Sequence, residues 1–190
     1  MLAHGMGKPI VAVDFDGVLH AYTTGWHGPA VVADGPVLGA LEWLVKLLPH
    51  FDVAVHSARS SSWAGRSAMR TWMRKHLAQL FMECSVDVSL ELMRASGFSP
   101  GMDRPDVEAQ RFAQHVVRRV QWPKYKPPAH LTVDDRAHCF TGVFPTAEQI
   151  RAFTPWNKSP RAVARAQGER SVEMERRPRG VDTAGGGAAE

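Results

Sequence analysis

The tightest constraint in this chain is a short apolar run that stops on acids: Pro9-Ile-Val-Ala-Val-Asp14, followed by Phe15, Asp16 and Gly17. A β-branched run without polar alternation suits a strand covered on both faces, as in parallel sheets. Such a strand carries its polar groups at its end, so Asp14 and Asp16 are expected at the carboxyl edge of a sheet. Two more segments repeat the pattern. Phe51-Asp-Val-Ala-Val-His56 runs into the polar turn Ser57-Ala-Arg-Ser-Ser-Ser62, and His130-Leu-Thr-Val-Asp-Asp135 again ends in acid.

Helical spacing separates these strands. Asp34 reads as the cap of a helix opened by Pro36, with Leu38, Leu41, Leu44, Val45 and Leu48 at core-facing intervals and Pro49 as its stop. A long helix is predicted over 63–80, where Met69, Trp72, Met73, Leu77 and Leu80 recur on one face. Another is predicted over 106–120 and a short one over 146–153. Val86-Asp-Val88 reads as a short strand and 96–105 as a loop. Residues 122–128 read as extended, because a residue before proline is pushed out of the helical region. The glycine- and aromatic-containing stretch 18–34 reads as a loop or small flap over the first strand end. Strands alternating with helices predict an α/β fold: a Rossmann-like open parallel sheet with helices on both faces and sites at the strands' carboxyl ends. One domain is expected over 9–154, after a flexible 1–8, with at most a modest cap insertion at 89–122. Residues 155–190, rich in Arg, Glu, Gly and Ala, are expected to be disordered.

Composition removes several function classes. Apolar residues make up 44% and charged residues 22%, as in globular proteins. No apolar run approaches the roughly 20 residues of a membrane span, and the opening residues lack the basic and apolar regions of a signal peptide. Cys84 and Cys139 form no CxxC pair, which argues against a disulfide framework or structural zinc; a reducing cytoplasm is the expected setting. The net charge of +4 divides evenly about Pro155, with seven basic and five acidic residues from there on and sixteen and fourteen before it. Charge alone therefore does not mark a nucleic-acid binder.

The chemistry lies in the acids. Asp14, Asp16, Asp134 and Asp135 all fall at predicted strand ends, where converging carboxylates would repel one another. A hard divalent cation relieves that repulsion, and oxygen ligands suit Mg²⁺. Such an ion neutralises a phosphate for in-line attack, and an aspartate serves as nucleophile through an aspartyl-phosphate. A Ser57 hydroxyl could bond a phosphoryl oxygen, and a lysine could offset the charge.

Val11-Ala-Val-Asp-Phe-Asp-Gly-Val18 resembles the first motif of the haloacid dehalogenase-like superfamily. His56-Ser-Ala-Arg59 resembles its second, Lys126-Pro127 its third, and Leu131-Thr-Val-Asp-Asp-Arg136 its fourth. The resemblance spans residues 9–144. It implies that Asp14 attacks phosphorus and binds Mg²⁺. Asp16 would protonate the leaving group and then activate water, its carbonyl also meeting the metal. Ser57 would hold the phosphoryl group, Lys126 would steady Asp14, and Asp135, aided by Asp134, would complete the metal site. Lys124 competes with Lys126, whose Lys-Pro setting fits the pattern better. Asp-Asp-Arg and Ser-x-Arg are also similar to the 3′-phosphatase domain of phage polynucleotide kinase, which implies a nucleotide or nucleic-acid end as the phosphorylated substrate. No kinase P-loop is present.

Weaker signals are weighed against plainer readings. Arg59 and Arg136 could grip substrate or pair with neighbouring carboxylates. His20 and His27 lie in the flap and could touch substrate, though loop surface is the plainer reading, and His56 and His138 read as structural. Tyr22, Trp26 and Trp63 could stack on a base, though packing is the plainer reading. The alternatives are a small-metabolite phosphatase, a catalytically silent binding module on the same fold, and a response-regulator receiver. The receiver fits worst, because its acid pair precedes its phosphorylated aspartate.

Overall fold

The computed structural model describes residues 7–137 together with Thr146, Ala152, Thr154 and Trp156. Among these, three strands, β1 (Ile10–Val13), β2 (Asp52–Val55) and β3 (Leu131–Val133), form one open parallel sheet in the order β2-β1-β3. The apolar run is the central strand, with Val11, Ala12 and Val13 almost wholly buried. At roughly 1.5–3 kcal/mol per fully covered valine-sized side chain, a register slip here is costly. The pairing is in phase: Val13 lies opposite both Val55 and Val133. Three parallel strands therefore end at one level, and the next residues, Asp14, His56 and Asp134, emerge on the same edge. Backbone bonds extend the alignment one step, from Asp14 N to Val133 O (2.9 Å) and from His56 N to Val13 O (3.0 Å).

Four helices accompany the sheet among the described residues: α1 (Ala40–Leu47), α2 (Trp63–Glu83), α3 (Val86–Ser96) and α4 (Pro105–Arg119). α2 packs on α4, and α1 packs on α3 and β2. The expected stripe of α2 is in place, with Met69, Trp72, Met73 and Leu77 buried. Two expectations are corrected. Val86-Asp-Val88 is the first turn of α3, because Ser85 caps it by accepting from Val88 N and Asp87 favours the helix's amino end. The first helix begins at Ala40 behind a left-handed Gly39 (φ 77°), not at Asp34, and Leu38 is exposed. Segment 89–122 is part of the main body. Leu92, Phe112, Ala113 and Val116 are fully buried in the common core, and Gln121 bonds along β2 through Val53 and Val55.

The flap leaves β1 and returns before α1. Its base is closed by Ala21 N to Gly35 O (2.9 Å) and Val37 N to Leu19 O (2.8 Å). No described helix is long and apolar enough to cross a membrane. Most of the helix expected over 146–153, His138 and most of 155–190 lie outside the described residues. Trp156, assigned by sequence to the tail, donates its indole N–H to Gly17 O at 2.8 Å.

Candidate metal and phosphoryl site

Asp14, Asp134 and Asp135 each offer a carboxylate oxygen, and these oxygens lie within 4.8 Å of one another. The in-phase strand ends are the cause: β1 delivers Asp14, and β3 delivers the pair. The Asp135 side chain is fully covered, yet neither of its oxygens has a hydrogen-bond partner. Arg136 Nε stands 3.7 Å away, beyond hydrogen-bonding range. Buried carboxylate oxygens without a partner are costly, and such oxygens are the ligands that hard divalent cations take. The donor set therefore fits a divalent ion such as Mg²⁺.

The acids' protonation reflects the crowding. Burial, reinforced by Asp134, Asp16 and Asp135, pushes the Asp14 carboxyl up to about 7 against the opposing Phe15 N–H bond. Burial likewise raises Asp135, with Arg136 opposing and Asp134 adding to the rise. Gly17 closes the site from behind. It sits at φ 93°, and a Cβ there would run into the Asp135 carboxylate.

Asp16 has a different environment, and its carboxylate stands outside the converging group. Arg59 Nε donates to both its oxygens (3.1 and 2.8 Å), His20 Nδ1 lies 2.9 Å from Oδ1, and Ser57 Oγ is 3.4 Å from Oδ2. Burial works against its charge, but the bonds from His20 and Arg59 and the charge of Arg59 prevail and hold its carboxyl below the usual range.

Ser57 sits at the end of β2, where it caps a single 3₁₀ turn (Ala58–Ser61) by accepting from Arg59 N at 3.1 Å. That turn aims Arg59 inward. Arg59 is fully buried, and its Nη1 donates to the flap carbonyls of Gly28, Pro29 and Val31. Of the two readings open for Arg59, the geometry supports the carboxylate pair: the side chain fastens the flap to Asp16.

A cleft of about 350 Å³ opens over these groups, walled by Asp14, Asp16, Ser57, Lys126, Tyr22 and Trp26. Lys126 is exposed at the rim and, after burial, is the second cause lowering His56. Lys124 instead lies over the Tyr125 ring, so Lys126 is the lysine that reaches the cleft. Trp26 is half-exposed with the Arg59 guanidinium 4.7 Å from its ring, and Arg136 stands over Tyr22. Trp63 is far more exposed and borders a second groove between the flap and α2.

Two residues of this assembly escaped the sequence reading. His20, read as flap surface, is 1% exposed and packed between Phe15 and Trp72. Asp34, read as a helix cap, accepts from Thr24 N and Oγ1, while its own N–H donates to His20 Nε2 at 3.0 Å. The Asp16-x-x-x-His20 spacing was the available signal, because a turn after the strand brings those positions together. No family model matches the chain, and no curated protein or solved structure matches it.

Proposed function

We propose that the protein is a Mg²⁺-dependent phosphomonoester hydrolase working through an aspartyl-phosphate on Asp14. The observation that carries the reading is the convergence of Asp14, Asp134 and Asp135, the covered side chain of Asp135 leaving both its oxygens unpartnered. Those three residues would hold the ion, which supplies charge neutralisation for the phosphoryl group. The reading also carries the Rossmann-like sheet covered by helices on both faces, and a reducing cytoplasmic setting.

The chain's own residues then act as follows. An Asp14 oxygen attacks phosphorus; the ester P–O bond breaks, and the leaving oxygen takes a proton from Asp16. Water next attacks the phosphorus of the aspartyl-phosphate, giving a proton to Asp16; the P–O bond to Asp14 breaks, restoring its carboxylate and releasing inorganic phosphate. Ser57, at the cleft wall, donates to a phosphoryl oxygen, and Lys126 offsets negative charge from the rim. The bonds from His20 and Arg59 favour the ionised Asp16, the form the second half requires, so the first half draws on the minority of molecules in which Asp16 carries a proton. The aromatic walls, Tyr22 and Trp26, suit a phosphate ester whose sugar carries a flat base, so a nucleotide or nucleic-acid end is the proposed substrate.

The test is hydrolysis of p-nitrophenyl phosphate with and without Mg²⁺, followed by a panel of 3′-phosphorylated oligonucleotide, nucleotides and sugar phosphates. Metal-dependent turnover, abolished in a folded Asp14→Asn variant, is expected. Absence of turnover on every ester would overturn the hydrolase reading, whereas equal rates on all would remove only the nucleic-acid preference.

A further inference from the structure

We propose that His20 is a positioning residue that fixes the Asp16 carboxylate by bridging it to the backbone of the flap at Asp34. The inference rests on the hydrolase reading, in which Asp16 moves the protons.

The argument begins with the tautomer. Asp34 N–H points at His20 Nε2 from 3.0 Å. A backbone amide can only donate, so Nε2 accepts and the ring's proton resides on Nδ1. Nδ1 faces Asp16 Oδ1 at 2.9 Å, so the proton is donated there. Both ring nitrogens are used, and neither can change role without losing a bond.

The ring is also enclosed. It stacks on Phe15 with centroids 5.5 Å apart, meets Trp72 edge-on at 5.7 Å and is 1% exposed. Its backbone is tied at both groups, His20 N to Phe15 O and Gly17 N to His20 O, each 2.8 Å. The partner end is equally fixed. Asp34 O accepts from Trp72 Nε1 (2.8 Å), and its carboxylate is held by Thr24. Trp72 therefore packs on the ring and anchors the residue that sets the ring's tautomer. Arg59 grips Asp16 and the far side of the flap, so Asp16 is held from two sides by groups that also define the flap. A group that must give and then take a proton at one atom gains most from such fixation, because small displacements cost large factors in rate.

Two substitutions separate the halves of the bridge. In His20→Asn the side-chain amide reaches the Nδ1 position and still donates to Asp16. In His20→Gln the longer chain reaches the Nε2 position, accepting from Asp34 N–H but leaving Asp16 without its donor. The expected result is a fall in kcat of about 30-fold or more for His20→Gln on the best ester, with KM nearly constant. His20→Asn should be at least about tenfold more active than His20→Gln at comparable thermal stability. A merely structural histidine predicts the opposite: equal losses that follow the loss of stability.

Nitrogen NMR of the ¹⁵N-labelled wild type gives a readout independent of turnover. The His20 imidazole signals, assigned in the wild type through couplings within its own side chain, should show the proton on Nδ1 and an unprotonated Nε2; a proton on Nε2 overturns the proposal even if neither variant folds. Equal kcat losses in an active enzyme also overturn it while leaving the hydrolase reading intact. Wild-type protein inactive on every ester removes both, even with the expected tautomer.

Discussion

Gly17 shows how finely the site is set by single residues. Its φ of 93° is left-handed, and its missing Cβ leaves room for the Asp135 carboxylate. Gly17→Ala should lose about 1–2 kcal/mol to backbone strain and, by displacing Asp135, weaken Mg²⁺ binding about tenfold or more; thermal unfolding across a Mg²⁺ titration reads both. Asp14 supports a second prediction of opposite sign. Its carboxyl rises from 3.8 to about 7 in the fold, so its contribution is most favourable below pH 3.8 and is lost as pH climbs to about 7. In metal-free protein on the alkaline side of pH 7, Asp14→Asn should therefore raise stability, by on the order of 2–4 kcal/mol. The same variant should lose its response to Mg²⁺, and denaturant unfolding with EDTA and with Mg²⁺ checks both halves. A variant less stable than wild type under EDTA would contradict the crowding on which the site reading depends. Asp14, Asp134 and Asp135 were legible because acids at the ends of apolar runs leave a linear trace. His20 was not, because nothing in a loop sequence says that Phe15 and Trp72 will close over it.

At the level of elements, legibility followed the length of the periodic signal. β1 and α2 carry runs long enough for burial to dictate their type, and both were read correctly. Val86-Asp-Val88 alternates for only three residues, and the cap at Ser85 decides for a helix. The stretch around Asp34 misled because Asp, Gly and Pro open helices and close flaps equally well; the choice fell to His20 and Trp72, which lie elsewhere in the chain. Segment 89–122 could not be assigned to cap or body from its own pattern, because the pattern does not say which surface its apolar face meets. In the fold, Phe112 stacks on Phe81 at 4.6 Å and meets Phe98 edge-on, which ties α4 to α2. Phe112→Ala should thus cost about 3–5 kcal/mol and lower the melting temperature by roughly 6–20 °C. A lid would respond differently, with little change in melting and an altered KM, so calorimetry beside steady-state kinetics distinguishes the two.

For the whole molecule, the proposed metal site would make stability a function of metal and pH together. Asp14 and Asp135 are both raised by burial, so metal-free protein should lose stability as pH rises through about 7, to the extent these two groups govern the profile. A cation bound by ionised carboxylates must displace the protons they hold, so its affinity should strengthen over the same interval. Stabilisation by a ligand of the folded state grows as RT ln(1 + [L]/Kd), about 2.7 kcal/mol at a hundredfold excess over Kd. The two dependences oppose one another, and the gap between melting curves with Mg²⁺ and with EDTA should widen steadily from acid to alkaline pH. The proposed ion would join β1 to β3 through the acids at their ends, and Trp156 donates to the adjoining Gly17 carbonyl, so the added stability should appear as one cooperative shift of the entire transition. A gap that stays constant with pH would mean that the ion binds elsewhere, on carboxylates already ionised. A gap present in wild type and equally present in Asp14→Asn would mean the same, because the acids at the strand ends would then be bystanders to the binding.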